Sequence, residues 1–181
     1  MSHPGLQRSS GYLIDTTVIS ELRRREPEPR VEAWFEQRPA VQLYLSVLTL
    51  GEIRLGVERM AAGERQQALR TWLEAELPAF FSGRLLPVDE AVAQRWGRLV
   101  AEMGRPLPAI DSLMAATALE HNLVLVTRNL KDVADLPVMV ANPLVASGGK
   151  PVVMTPEAKK ALSSTIRGLL SGDNEVGRRP T

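Results

Sequence analysis

Short, uninterrupted apolar runs separated by segments of helical period constrain this chain more than any other feature. Tyr12-Leu13-Ile14, Leu43-Tyr44-Leu45 and Leu123-Val124-Leu125-Val126 are too short for helices and show no alternation of polar and apolar residues. A strand buried on both faces reads this way, because neither side meets water. Arg84 to Val88 and Val138 to Val140 supply two further, weaker runs. Between them lie amphipathic segments: Val18, Ile19 and Leu22; Val31, Trp34 and Phe35; Leu50, Ile53, Val57 and Met60 within Thr49 to Ala62. Ala68, Leu69, Trp72, Leu73 and Leu77 mark a helix over 64–81, Val92 to Met103 another, and Ile110 to His121 a third. Strands alternating with helices imply an α/β fold with a parallel sheet covered on both faces. Ligand sites in such sheets lie beyond the carboxyl ends of the strands.

Punctuation residues set the boundaries. Glu26-Pro27-Glu28-Pro29 breaks the first helical segment, Gly63 ends the third, Asp89 is placed to cap the helix that follows it, and Asn122 closes the helix before the Leu123 run. After Asn142-Pro143 the composition changes, with Ala146-Ser147-Gly148-Gly149 reading as a linker and Thr155-Pro156-Glu157 opening a short helix to Leu170. The expected organisation is one domain over residues 11–144 and an extension over 145–181, partly disordered.

Charge and composition exclude several classes of chemistry. There is no cysteine, and the two histidines, His3 and His121, lie far apart, so any metal must sit on oxygen ligands. Histidine-pair hydrolysis through a cyclic phosphate has no candidate residues. No run reaches the roughly 18 to 20 apolar residues that span a bilayer, and Met1 to Ser10 holds no apolar leader core, so a cytoplasmic protein without a membrane partner is expected. Residues 1–149 hold 16 basic and 18 acidic side chains, net −2, whereas 150–181 hold 6 basic and 3 acidic, net +3. The main domain is therefore no bulk polycation. Nucleic acid would be met by local clusters, Arg23-Arg24-Arg25 and Arg128 with Lys131.

Three carboxylates fall where an α/β sheet builds its sites. Asp15 follows the first strand, Glu52 lies in the first turn of the third helix, and Asp111 begins the helix after Pro108-Ala109-Ile110; Asn129 follows the strand that ends at Thr127. Oxygen-ligated divalent metal needs carboxylates converging from separate segments. Each residue also has a structural reading. Asp15, Asp111 and Asn129 suit helix caps, and Thr49-Leu50-Gly51-Glu52 suits a capping box. Asp132 reads as a surface charge in a helical turn.

Four ordered blocks carry a resemblance. Leu13-Ile14-Asp15-Thr16-Thr17-Val18-Ile19-Ser20-Glu21-Leu22 resembles the opening signature of PIN domains, and Tyr44 to Val57 the second PIN block, in the FitB-like branch of VapC toxins. Pro108 to Ala118 resembles the third block, Leu125 to Asp132 the fourth, and Asn142-Pro143-Leu144 the usual terminus of that branch. The resemblance implies a three-layer α/β/α sandwich and a magnesium- or manganese-dependent endoribonuclease, the toxin of a type II pair. It makes Asp15 and Asp111 metal ligands and Glu52 the completion of the acidic cluster, with Thr16, Thr127 and Asn129 hydrogen-bonding around it. Asn129 stands where many PIN nucleases carry aspartate. In-line attack by a metal-activated water implies 5′-phosphate and 3′-hydroxyl products. Implied partners are RNA, a VapB-like antitoxin, promoter DNA through that antitoxin, and a second copy in a homodimer, to which Trp34, Phe35, Trp72 and Trp96 would offer spare apolar surface. Two alternatives stand beside this: a catalytically weak module that acts by pairing with a DNA-binding partner, and phosphatase or dehalogenase chemistry with Asp15 as nucleophile, which lacks the second aspartate two positions on.

Overall fold

The computed structural model describes residues 9–145 apart from 23 and 25; the expected helix from Thr155 lies outside the described residues, as do Arg23 and Arg25. Five parallel strands form one sheet: β1 (Gly11–Ile14), β2 (Leu43–Ser46), β3 (Leu85–Leu86), β4 (Leu123–Val126) and β5 (Val140–Ala141), in the order β3-β2-β1-β4-β5. The chain winds outward from β1 on one side through β2 and β3, then returns to β1's other edge with β4. The order thus reverses between β1 and β4, where parallel sheets open a crevice at their carboxyl end.

Helices cover both faces. On one lie α1 (Thr16–Leu22), α2 (Pro29–Glu36), α3 (Val47–Glu58), α4 (Glu64–Thr71) and α5 (Leu77–Phe80); on the other lie α6 (Glu90–Met103) and α7 (Ala109–Glu120). Consecutive β1 residues serve opposite cores, as the period of two requires: Ile14 packs with Val18, Phe35 and Ile53, Leu13 with Val92, Leu99 and Met114. This is the α/β/α sandwich. Close approach of β1 and β2 needs a glycine, since a Cβ on Gly11 would stand 2.5 Å from the Gln42 carbonyl oxygen.

Several elements differ from the sequence expectation. The helix over 64–81 is interrupted at Trp72–Glu76 by a π-turn, in which the Leu77 N–H reaches the Trp72 carbonyl. Pro78 has no N–H to give to residue 74 and its ring crowds that carbonyl, so widening the preceding turn accommodates it. Helix α3 begins two residues before Thr49, because Ser46 is the residue that caps it, accepting from Leu48 N–H at 3.1 Å. The last strand lies at Val140–Ala141, pairing with Leu125 and Val126. Trp34, Phe35 and Trp72 are core residues, and Trp96 is half-buried with its Nε1–H on Ser112 Oγ at 2.9 Å, so these aromatics are not spare surface for a second copy. Asp89 caps α6 as expected, accepting from Val92 N–H at 3.0 Å. No helix among the described residues is long and apolar enough to cross a membrane.

Candidate active site

Asp15 leaves β1 at the crevice between β1 and β4, its N–H bonded to the Val126 carbonyl at 2.9 Å. Its Oδ2 accepts from the hydroxyls of Thr17 at 2.6 Å and Thr127 at 2.8 Å, and from Thr17 N–H at 3.4 Å. Each hydroxyl also accepts a backbone donor from the end of β4. Thr17 Oγ1 receives the Arg128 N–H at 3.2 Å, and Thr127 Oγ1 the Asn129 N–H at 3.0 Å. Asp15 is thus oriented by two hydroxyls whose own positions are set by the backbone that follows β4.

Thr16 turns the other way from the same junction and donates to Glu52 Oε2 on α3. Glu52 takes no part in a capping box, because α3 starts at Val47 and Thr49 is buried, directing its hydroxyl to the Ile14 carbonyl at 3.4 Å. Asp111 stands in the first turn of α7 without capping it; the N-cap position is Pro108 and no side chain fills that role. Asn129 likewise makes no side-chain cap on the 3-10 turn Leu130–Asp132. The capping explanations for Glu52, Asp111 and Asn129 therefore fail.

Asn129 instead donates its amide to the carboxylate of Asp132. Asp132 is half-buried and belongs to the acidic edge, correcting its reading as a surface charge. The Asp111 carboxyl is pushed above the ordinary aspartate value by burial first, then by the charge of Asp132 and then by that of Asp15, opposed by a hydrogen bond from its own backbone N–H. Like charges raise a carboxyl when nothing positive intervenes. Asp111 thus feels the charges of Asp132 and Asp15 from two other segments, while Glu52 is joined to the junction through Thr16. Among the described residues no three acidic or histidine side chains stand close enough together to hold an ion between them. Magnesium does not require that, since it keeps several waters and takes one or two carboxylates. The donor chemistry of the edge, hard oxygens under mutual repulsion, fits such an ion.

Arg128 also departs from the expected nucleic-acid cluster. Its guanidinium is paired with Glu21 of α1, and Arg24 joins the same carboxylate at 3.3 Å. Lys131 stays exposed. Sequence reasoning did not assign Thr17, Glu21 or the Arg128 pairing a role. A signal existed for Glu21, an acid at helical spacing with Val18 and Leu22 on the apolar side of α1.

Comparisons with known proteins agree with this architecture. The PIN domain matches residues 12–136. Toxin FitB of Neisseria gonorrhoeae is 37% identical over 134 residues, covering 72% of this chain and 96% of that protein, and VapC ribonuclease Y4jK of Sinorhizobium fredii is 34% identical over the same shares. Among solved structures, FitAcB from Neisseria gonorrhoeae is 36% identical with a TM-score of 0.69, covering 75% of this chain and 99% of that one. FitAB bound to an IR36 DNA fragment is 34% identical with a TM-score of 0.70, covering 77% and 99%. The family match over residues 12–136 and the similarity to these relatives over nearly their whole length show that the chain belongs to the PIN-domain family, in its FitB-like branch of VapC toxins.

Proposed function

We propose that this chain is a divalent-metal-dependent endoribonuclease that acts in the cytoplasm as the toxin of a type II toxin–antitoxin pair. The observation that carries the reading is Asp111: it caps nothing, and the charges of Asp132 and Asp15 bear on it at the switch point of the sheet. A helix start that tolerates such repulsion is accounted for by a cation that relieves it. The relatives named ribonuclease and toxin support the reaction class.

In this reading Asp15 and Asp111 would hold magnesium or manganese, with Glu52 and Asp132 completing the acidic edge around it. The ion supplies Lewis acidity toward the scissile phosphate and a nucleophilic water. Thr17 and Thr127 hold Asp15 through its Oδ2 and so aim the carboxylate. Thr16 orients Glu52, whose remaining oxygen accepts a proton from water at the edge. Asn129 fixes Asp132 by its amide and adds no charge. Partners follow from the relatives: a VapB-like antitoxin, and promoter DNA reached through it. We also infer a homodimer, supported by exposed Val47 and Leu55, which lie eight residues apart on one side of α3. The nuclease domain spans residues 11–144.

The deciding experiment incubates the purified full chain with a structured RNA in magnesium or manganese and in EDTA, beside p-nitrophenyl phosphate as a generic ester. RNA cleavage to 5′-phosphate and 3′-hydroxyl ends, lost in EDTA and without ester hydrolysis, is expected. Cleavage undiminished in EDTA, or ester hydrolysis without RNA cleavage, would overturn the assignment.

A further inference from the structure

Among the described residues, Glu21 is the only charged residue in the buried class, at 3% exposure. A carboxylate out of water is costly unless paired. Its partner is the residue immediately beyond Thr127. The Arg128 guanidinium donates through Nη1 to Glu21 Oε2, while Arg24, far more exposed, flanks the pair from solvent. The main chain of Arg128 belongs to the site: its N–H donates to Thr17 Oγ1, and the next N–H, of Asn129, donates to Thr127 Oγ1. Those two hydroxyls are the ones that donate to Asp15 Oδ2. A continuous path therefore runs from the buried carboxylate through the guanidinium and the backbone of residues 127–129 to the carboxylate at the end of β1.

We propose that the ion pair between buried Glu21 and half-buried Arg128 is a positioning clamp, which holds the segment Thr127–Asn129 against α1 and so aims both hydroxyls that orient Asp15 and the turn that carries Asp132. Neither residue touches substrate in this role. The pairing limits Arg128 as a direct phosphate contact: Nη1 is committed to Glu21 and Nε is buried away from solvent, which leaves only Nη2 for a phosphate. Displacement of reacting groups by about 1 Å costs on the order of a hundredfold in rate, so a distant ion pair can govern turnover without entering the chemistry.

The kinetic arm of the test rests on the ribonuclease reading; the exchange arm does not. Glu21→Gln, Arg128→Gln and the double variant of the full chain are compared with the unmodified protein after circular dichroism confirms folding, with Arg128→Lys, which keeps charge but loses the planar fork, taking the place of any Arg128→Gln protein that fails to fold. In hydrogen–deuterium exchange, the Arg128 and Asn129 amides should exchange at least about tenfold faster in each single variant, with β1 and β2 unchanged. On a fluorogenic RNA oligonucleotide with manganese, kcat should fall roughly tenfold or more, KM should stay within about twofold, and the double variant should be no slower than the worse single one. Unchanged exchange at Arg128 and Asn129 overturns the clamp. So does a raised KM with a flatter salt dependence in Arg128→Gln beside wild-type kinetics in Glu21→Gln, the pattern of a phosphate contact. Opposite effects of the two single variants on kcat overturn it too, since they mark a field effect of charge. Should the unmodified chain cleave no RNA, the ribonuclease reading fails, and the exchange result alone decides the clamp.

Discussion

The side-chain amide of Asn129 donates to the carboxylate of Asp132, and Asp132 raises the Asp111 carboxyl more than Asp15 does. Asn129 immediately precedes a single 3-10 turn that ends at Asp132, and in such a turn positions i and i+3 eclipse. An acid at 132 therefore comes to lie above residue 129, the position where many PIN nucleases carry aspartate. The neutral amide at 129 leaves the edge its negative charge, displaced by one turn.

Asp132→Asn should accordingly lower metal-dependent RNA cleavage by about tenfold or more and weaken manganese binding, followed by electron paramagnetic resonance of the free ion. Asn129→Ala should cost less, since it removes the tether and leaves the charge. Wild-type cleavage and manganese affinity in Asp132→Asn would return that residue to the surface.

Asp111→Asn and Glu52→Gln should abolish cleavage while leaving the fold intact. Ser46 caps α3 and neither carboxylate caps its helix, so the amide variants lose no cap. We expect at least a hundredfold loss, about 2.7 kcal/mol or more of transition-state stabilisation, with unchanged circular dichroism. A folded, metal-replete Asp111→Asn protein with full activity would remove the principal support for the active site.

The strands with the longest apolar runs, β1, β2 and β4, were legible in the sequence because burial on both faces writes itself into composition. Edge strand β5 was legible only to within two residues, since its position depends on pairing with Leu125 and Val126. Asp89 was readable as a cap because the apolar stripe of α6 begins three residues later. Ser46 was not, because it also ends the β2 run and is fully buried. Asp15, Glu52 and Asp111 could be singled out by their places at segment starts and ends. What spacing did not carry was the direction of side chains: Thr16 to Glu52 and Thr17 to Asp15, two adjacent threonines serving different carboxylates. The Glu21–Arg128 pair joins residues 107 positions apart and leaves no local pattern.

A chain ending after Val145 should fold and cleave RNA as the full chain does. The solved relatives are covered over 99% of their length by 75% and 77% of this chain. The boundary has a physical limit: Pro143 is buried, and the Leu144 carbonyl accepts from Arg30 Nη1 at 2.9 Å, so cutting earlier strips contacts from α2. Thermal unfolding of chains ending at 145 and at 139 distinguishes the two. The longer should keep its midpoint, and the shorter, without β5, should lose it; a lowered midpoint in the longer chain would show that residues beyond 145 pack on the core.

Asp111 also makes a prediction about stability, whose sign follows from burial and like charge together. Its carboxyl is raised in the folded protein by burial, Asp132 and Asp15, so the folded state binds a proton more tightly there than the unfolded chain does. Stability contributed by that protonated carboxyl is present below the unfolded value near 3.8 and is lost as pH rises through the raised folded value. At neutral pH, in EDTA, ionised Asp111 therefore costs stability, and Asp111→Asn should melt higher than the unmodified protein. The advantage should shrink as the pH is lowered toward 3.8, where the carboxyl in both states takes up its proton. Magnesium should reverse the order at neutral pH, because the ion stabilises the state that binds it and the variant binds it less well. Melting curves at neutral and acid pH, each with EDTA and with magnesium, give all four comparisons. A variant less stable than the unmodified protein in EDTA at neutral pH would show that Asp111 is held by attraction, and the case for a repulsive acidic edge awaiting a cation would fail with it.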